Sequence, residues 1–230
     1  MNKMYYKTLS PLYYREGKII DARNDNYGLW NDLYCDSPKE VDFILSAAKA
    51  TDLPISLFYY MITDPFAIEL KIQMNNKSTI KLKKIVSYVN YDQDVDVDLI
   101  THYLQLSPKN EESILSRYDI WENLGERIRK QYFATMPSRI DSYFLFRDLE
   151  SARYYINSNN KTDFIIVEVE ILQKNVLETF DMSIWDIENN NLPYSECEAN
   201  IKKYWESNNA SEMKYPEVLF QGILKLGAKI

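Results

Sequence analysis

The sequence predicts an α+β domain in which strands and helices share one core, and three observations carry that expectation. Phe164–Ile171 alternates, with Ile165, Val167 and Val169 on one face and Glu168 and Glu170 on the other with Phe164 and Ile166, a period of two. Ile114, Tyr118, Trp121, Leu124, Ile128 and Tyr132 recur at near-3.6 spacing and form one apolar helical stripe. Nearly half of the 230 residues are apolar (46%), which supports a substantial core and argues against disorder.

The elements follow in chain order. Met4–Leu9 is aromatic and β-prone and is stopped by Pro11, so it predicts a first strand. Arg15–Lys18 predicts a turn into a short strand, Ile19–Asp21. Asp36-Ser37-Pro38 supplies a cap and a first-turn proline, and Val41, Ile44, Leu45 and Ala48 keep helical spacing, so Pro38–Ala50 predicts a helix. Leu53–Met74 is apolar and broken by Pro54 and Pro65, with a period that fits helix or strand. Thr79–Asn90 carries a Lys-rich face and is likewise open between the two.

The clearest helix spans Asn110–Phe133. Glu111 and Glu112 lie near its positive end and Arg127, Arg129 and Lys130 near its negative end, as the helix dipole prefers. Ser142–Phe146 predicts a strand, Arg147–Ala152 a turn into a short helix, Cys197–Trp205 a helix that buries Ile201, Tyr204 and Trp205, and Val218–Ile230 the closing strand. Residues 1–230 are read as one domain. Lobes of residues 1–98 and 99–230 are expected to meet near the acidic stretch Asp92–Asp98.

Composition removes several chemistries. Five glycines and no GxGxxG or GxxxxGK[ST] pattern argue against dinucleotide-fold and P-loop phosphate sites. A net charge of −7 argues against broad electrostatic capture of nucleic acid. Cys35 and Cys197 lie far apart without metal-ligand spacing, and His102 is the single histidine, so no metal site and no Ser-His-Asp triad is expected. No segment approaches the ~20 apolar residues of a membrane span, so the expectation is a cytoplasmic protein with reduced thiols and no membrane partner. Any chemistry is left to carboxylates, Arg, Lys, Ser or Tyr.

Three blocks form one pattern: Arg129–Phe133 with Met136-Pro137-Ser138-Arg139; Ser142–Phe146 with Asp148 and Ala152; and Tyr204-Trp205 with Pro216–Gly222. In this order they resemble a family of bacterial cytoplasmic proteins that carry a domain of unknown function, with a weaker match at Tyr5-Tyr6-Lys7 and Gly17. The pattern is in turn similar to ADP-ribosyltransferase-like proteins, which split NAD at its bond to nicotinamide. That resemblance implies split antiparallel β-sheets with flanking helices. It also implies NAD as a bound substrate and a macromolecular acceptor, protein or nucleic acid, as in a bacterial toxin or phage-defence effector.

By the same resemblance Glu217, opening Glu217-Val218-Leu219-Phe220, would be the catalytic carboxylate. A fixed carboxylate stabilises an oxocarbenium-like ribose and grips its hydroxyl. Arg139 would clamp the pyrophosphate with its fork of donors. Ser142 or Tyr143 would support the nicotinamide end, and Tyr6 and Lys7 would stand at the first-strand position. That position holds neither His nor Arg here, and Tyr215 stands two residues before Glu217 where transfer to arginine would need Glu or Gln. The alternative is a non-catalytic binding or scaffold module, a homodimer that keeps the fold without the activity. On that reading Glu217 is a strand-start carboxylate paired with Lys225, and Arg139 serves a helix end or a carboxylate such as Asp141.

Overall fold

The computed structural model describes residues 4–31, 38–86, 93–108, 117–186 and 191–230. Its strands are β1 (Tyr5–Leu9), β2 (Ile19–Asp21), β3 (Thr79–Lys81), β4 (Asp94–Asp96), β5 (Tyr143–Phe146), β6 (Ile165–Asp181) and β7 (Pro216–Lys229). Its helices are α1 (Tyr27–Trp30), α2 (Pro38–Thr51), α3 (Ile55–Thr63), α4 (Pro65–Gln73), α5 (Leu82–Ile85), α6 (Val97–Leu106), α7 (Arg117–Tyr132), α8 (Leu149–Ser158), α9 (Met182–Trp185) and α10 (Tyr194–Glu206). The chain is therefore α+β, with antiparallel sheets and flanking helices. Two compact units divide it: Met1–Cys35 with Glu126–Ile187 and Ile201–Ile230, and Asp36–Gly125 with Glu188–Asn200. The stretch around Asp94–Asp96 lies inside the second unit, as strand β4.

The first unit is built on β2, β7, β5, β1 and β6 in that order, with β6 also pairing β7. The pairings β1–β5, β5–β7, β7–β6 and β6–β1 close a circuit, so four of the strands have partners on both sides. Register shifts along β6 at Val167/Val169, Ile171/Gln173 and Lys174/Val176 let this long ribbon bend around that circuit. One sheet face packs Tyr5, Leu9, Tyr143, Leu145, Val167, Val218, Phe220 and Leu224. Phe146, Ala152 and Met182 form a second cluster, with Tyr6, Tyr154, Tyr155 and Tyr215 against it.

The second unit is mainly helical. The ambiguous stretch Leu53–Met74 resolves into α3 and α4 because Asp64 caps a new helix, accepting the Ala67 N–H at 3.3 Å, and Pro65 takes the first turn. Val41, Ile44, Leu45 and Ala48 are buried, as the helical spacing of α2 predicts. Phe58 holds the edge of Tyr103 at 5.3 Å. Thr79–Asn90 begins as strand β3 and continues as α5, and residues 87–90 lie outside the described residues. The helix expected over Asn110–Phe133 is described from Arg117 as α7; residues 110–116 lie outside.

One junction positions the candidate site. Strand β6 ends at Asp181, whose carboxylate accepts the N–H groups of Ser183 (3.0 Å), Lys214 (2.8 Å) and Tyr215 (3.2 Å). Its own N–H donates to Ser207 Oγ at 2.9 Å. Burial pushes the Asp181 carboxyl up, but hydrogen bonds from Lys214, Ser183 and Tyr215 together outweigh it and hold the group below its usual range. This one carboxylate ties the end of β6, the start of α9 and the entry to β7 together. Among the described residues no helix is long and apolar enough to cross a membrane.

Candidate functional site

Arg139 reaches the sheet from a turn that the sequence closes with two serines. The Ser142 hydroxyl donates to Ser138 O at 2.6 Å, and Ser142 N–H donates to Arg139 O at 3.1 Å. The segment after β2 fastens the same turn, with Tyr27 N–H donating to Ser142 O at 2.9 Å and Gly28 N–H to Ile140 O at 2.8 Å. Pro137-Ser138-Arg139 is thus a rigid mount, and Ser142 serves as its latch.

From that mount the guanidinium meets the carboxylate of β7. Arg139 Nη1 donates to Glu217 Oε1 and, at 2.5 Å, to the hydroxyl of Tyr204 on α10. The Tyr204 hydroxyl donates to the same Glu217 oxygen at 2.8 Å. All three are deep, with Arg139 5%, Glu217 2% and Tyr204 0% exposed. The guanidinium carbon lies 3.9 Å from the ring centroid of Trp185, 4.7 Å from Phe144 and 5.0 Å from Tyr204. Phe180 stacks on Tyr204 at 5.1 Å. Burial drives the Tyr204 hydroxyl well above its ordinary pKa, and the neighbouring Glu217 charge adds to this, so it stays a proton donor.

Magnitudes say what this arrangement contributes. Desolvating two ions costs several kcal/mol each, and their mutual attraction offsets this only with good geometry and extra hydrogen bonds. Tyr204 supplies such a bond. The three rings each add on the order of 2 kcal/mol as desolvated cation–π contacts. The pair is close to neutral against an apolar replacement, and either half left alone is a large liability.

The remaining expected site residues distribute over both faces of the sheet. Tyr6 pairs with Phe146, and Phe146 pairs with Glu217, so Tyr6 stands in the cross-strand row of Glu217, on the far side of Phe146. Lys7 and Tyr143 lie on the opposite face, where Lys7 Nζ sits 4.2 Å from the Tyr143 ring centroid. Tyr143 is buried, and Ser142 is fully buried within the Arg139 mount. Lys225 pairs with Glu170 at 2.8 Å, so the expected Glu217–Lys225 contact does not form. An open cavity of about 320 Å³ is lined by Arg147, Asp148, Ala210, Ser211, Met213 and Pro216, the last being the residue before Glu217.

Sequence reasoning read Tyr204 only as the buried side of a helix and missed Trp185 entirely. The Tyr204 signal was its place in the same block pattern as Glu217; Trp185 follows the Asp181 cap and has no such mark. Among the described residues no three His, Cys, Asp or Glu side chains gather as a metal site. A comparison with curated proteins gives no match. The family match begins at residue 16, so it takes in Gly17, Arg139, Tyr204 and Glu217 and leaves out Tyr6 and Lys7. Residues 16–230 match the family described as Protein of unknown function (DUF2441), and the chain belongs to that family.

Proposed function

We propose that this chain is a non-catalytic binding module in which Arg139, Glu217 and Tyr204 fix the core rather than handle a substrate. The observation that carries this reading is the burial of Glu217, whose Oε1 is engaged by both Arg139 and Tyr204. A carboxylate that stabilises a cleaving sugar must touch it, and a guanidinium walled by three rings has no face left for a pyrophosphate. Assembly as a homodimer belongs to this reading. Its support is the run of exposed apolar side chains Leu12, Tyr13, Leu29 and Trp30, of which Tyr13 and Trp30 meet edge to face at 5.0 Å.

A second reading, NAD-dependent ADP-ribosyl transfer to a macromolecule, has one specific support. The carboxylate and the guanidinium that the resemblance pairs are in contact, and Glu217 Oε2 takes no hydrogen bond among the described residues. The cavity that starts at Pro216 is at the lower end of small-molecule sites in size. On this reading the chain opens around Glu217 when NAD binds.

One experiment separates the two. The protein is incubated with NAD and candidate acceptors, and nicotinamide release is followed beside Glu217→Gln and Glu217→Asp variants whose folding is checked by circular dichroism. The binding-module reading expects no release above background in any of them. Release by the native chain that disappears in a folded Glu217 variant would overturn it.

A further inference from the structure

The cavity beside Pro216 holds two opposite charges that do not neutralise each other. Arg147 and Asp148 are consecutive in the chain and both line it, yet among the described residues the Arg147 guanidinium forms no ion pair and no hydrogen bond. Other charges in this unit close on a neighbour, Arg23 on Asp21 at 2.5 Å and Arg129 on Glu126 at 2.7 Å. Asp148 is committed elsewhere, since one carboxylate oxygen caps α8 by accepting the Ser151 N–H at 2.8 Å. Its other oxygen accepts no hydrogen bond among the described residues. Both walls are held in place. Arg147 N–H donates to Pro216 O at 3.4 Å, and Ala210 N–H to Ser207 O at 2.9 Å. Tyr154 of α8 stacks on Tyr215 with ring centroids 3.7 Å apart, which ties α8 to the entry of β7.

We propose that this cavity is a binding site for a free α-amino acid with a compact apolar side chain. The Arg147 guanidinium donates to the ligand carboxylate through its planar fork, and the Ser211 hydroxyl supplies a further donor. The uncommitted Asp148 oxygen accepts from the ligand ammonium. Ala210, Met213 and Pro216 form the apolar lining, and the unbranched Met213 side chain adapts to the group it covers. A volume of about 320 Å³ suits a molecule of this size. A cation and an anion in one small cavity select a ligand that carries both charges, because a simple anion meets Asp148 and a simple cation meets Arg147. Each end of a peptide carries just one of the two charges. The lining leaves out Arg139, Tyr204 and Glu217, so this site goes beyond the binding-module reading and does not involve the buried pair.

The test is a two-dimensional NMR titration of the isotope-labelled whole chain with L-leucine up to about 10 mM. Leucinamide, which lacks the carboxylate, and N-acetyl-L-leucine, which lacks the ammonium, are titrated beside it. L-Leucine is expected to shift the amide signals of Arg147, Asp148, Ser211 and Met213 saturably, and to bind at least about fivefold more tightly than either derivative. Arg147→Gln is expected to weaken L-leucine binding about tenfold. Asp148→Asn keeps the α8 cap, because Asn caps as well as Asp, and is expected to weaken L-leucine without weakening N-acetyl-L-leucine. No saturable shift with L-leucine, a derivative that binds as tightly, or an Arg147→Gln chain that binds L-leucine unchanged overturns the proposal. Nicotinamide release is read separately, so failure here leaves the binding-module reading standing.

Discussion

Arg139 and Glu217 are separated by 78 positions in the chain, and their pairing makes each dependent on the other. Glu217→Gln leaves a buried guanidinium without its countercharge and should cost about 3–5 kcal/mol; Arg139→Met should cost a similar amount by stranding the carboxylate. The triple variant Arg139→Met, Tyr204→Phe and Glu217→Leu should recover most of that loss, because it removes both desolvation penalties and leaves no Tyr204 hydroxyl stranded between them. Urea unfolding with fitted midpoints and slopes measures all three, and single losses below about 1 kcal/mol would refute the buried-pair account. Both residues were legible in the sequence as an isolated Arg after Pro-Ser and a Glu at the head of an apolar strand. Their partnership was not, since Lys225 and Asp141 were nearer in sequence and equally suitable in charge. Only the sheet register decides, by placing Glu217 opposite Phe146 and Phe180 on the face that Tyr204 covers.

Elements with local punctuation or clear apolar patterning were readable from the sequence, β1, β2, β5 and β7 among them, and the second half of β6 was not. Asp148 accepts the Ser151 N–H at 2.8 Å and starts α8 where the Arg147–Ala152 stretch predicts a turn into a helix. Strand β6 was expected to stop at Ile171, yet it runs 17 residues to Asp181. Its middle, Leu172–Asn175, is exposed and does not alternate, so nothing local marks it as strand. Pairing with β7 through three register shifts maintains it. Gly222 sits at one of those irregular positions with φ +150, and a Cβ there would lie 2.1 Å from the carbonyl oxygen of Gln173. Gly222→Ala must therefore push backbone apart and should cost about 1–3 kcal/mol or more. Gly17→Ala makes a useful comparison, because Gly17 has φ +79 but open space around it and should cost about 1 kcal/mol. Thermal unfolding of the two variants side by side checks the ranking, and equal losses would mean that the β6–β7 ribbon adapts more readily than its register implies.

At the scale of the whole molecule, net charge and exposed apolar surface act in opposite directions on self-association. Two copies each carrying −7 repel at long range, and salt screens that repulsion over about 10 Å at 0.1 M. Leu12 is 89% exposed and Trp30 50%, and burying such side chains against a partner contributes about 25 cal/mol per Å² of apolar surface, with little dependence on salt. A stable interface needs about 800 Å² from each copy, so these side chains would form its apolar centre with polar surface around them. The expected behaviour is a monomer–dimer equilibrium in sedimentation velocity that shifts toward dimer as salt rises from low to moderate concentration. Leu12→Glu combined with Trp30→Ser should weaken the dimer at least tenfold, since it removes apolar contact and adds two more negative charges to the assembled pair. Those substitutions lie on exposed side chains, so unfolding midpoints should stay close to those of the native chain. A native chain that remains monomeric at every salt and protein concentration, or a variant that dimerises as tightly as the native chain, would remove this surface as the site of assembly.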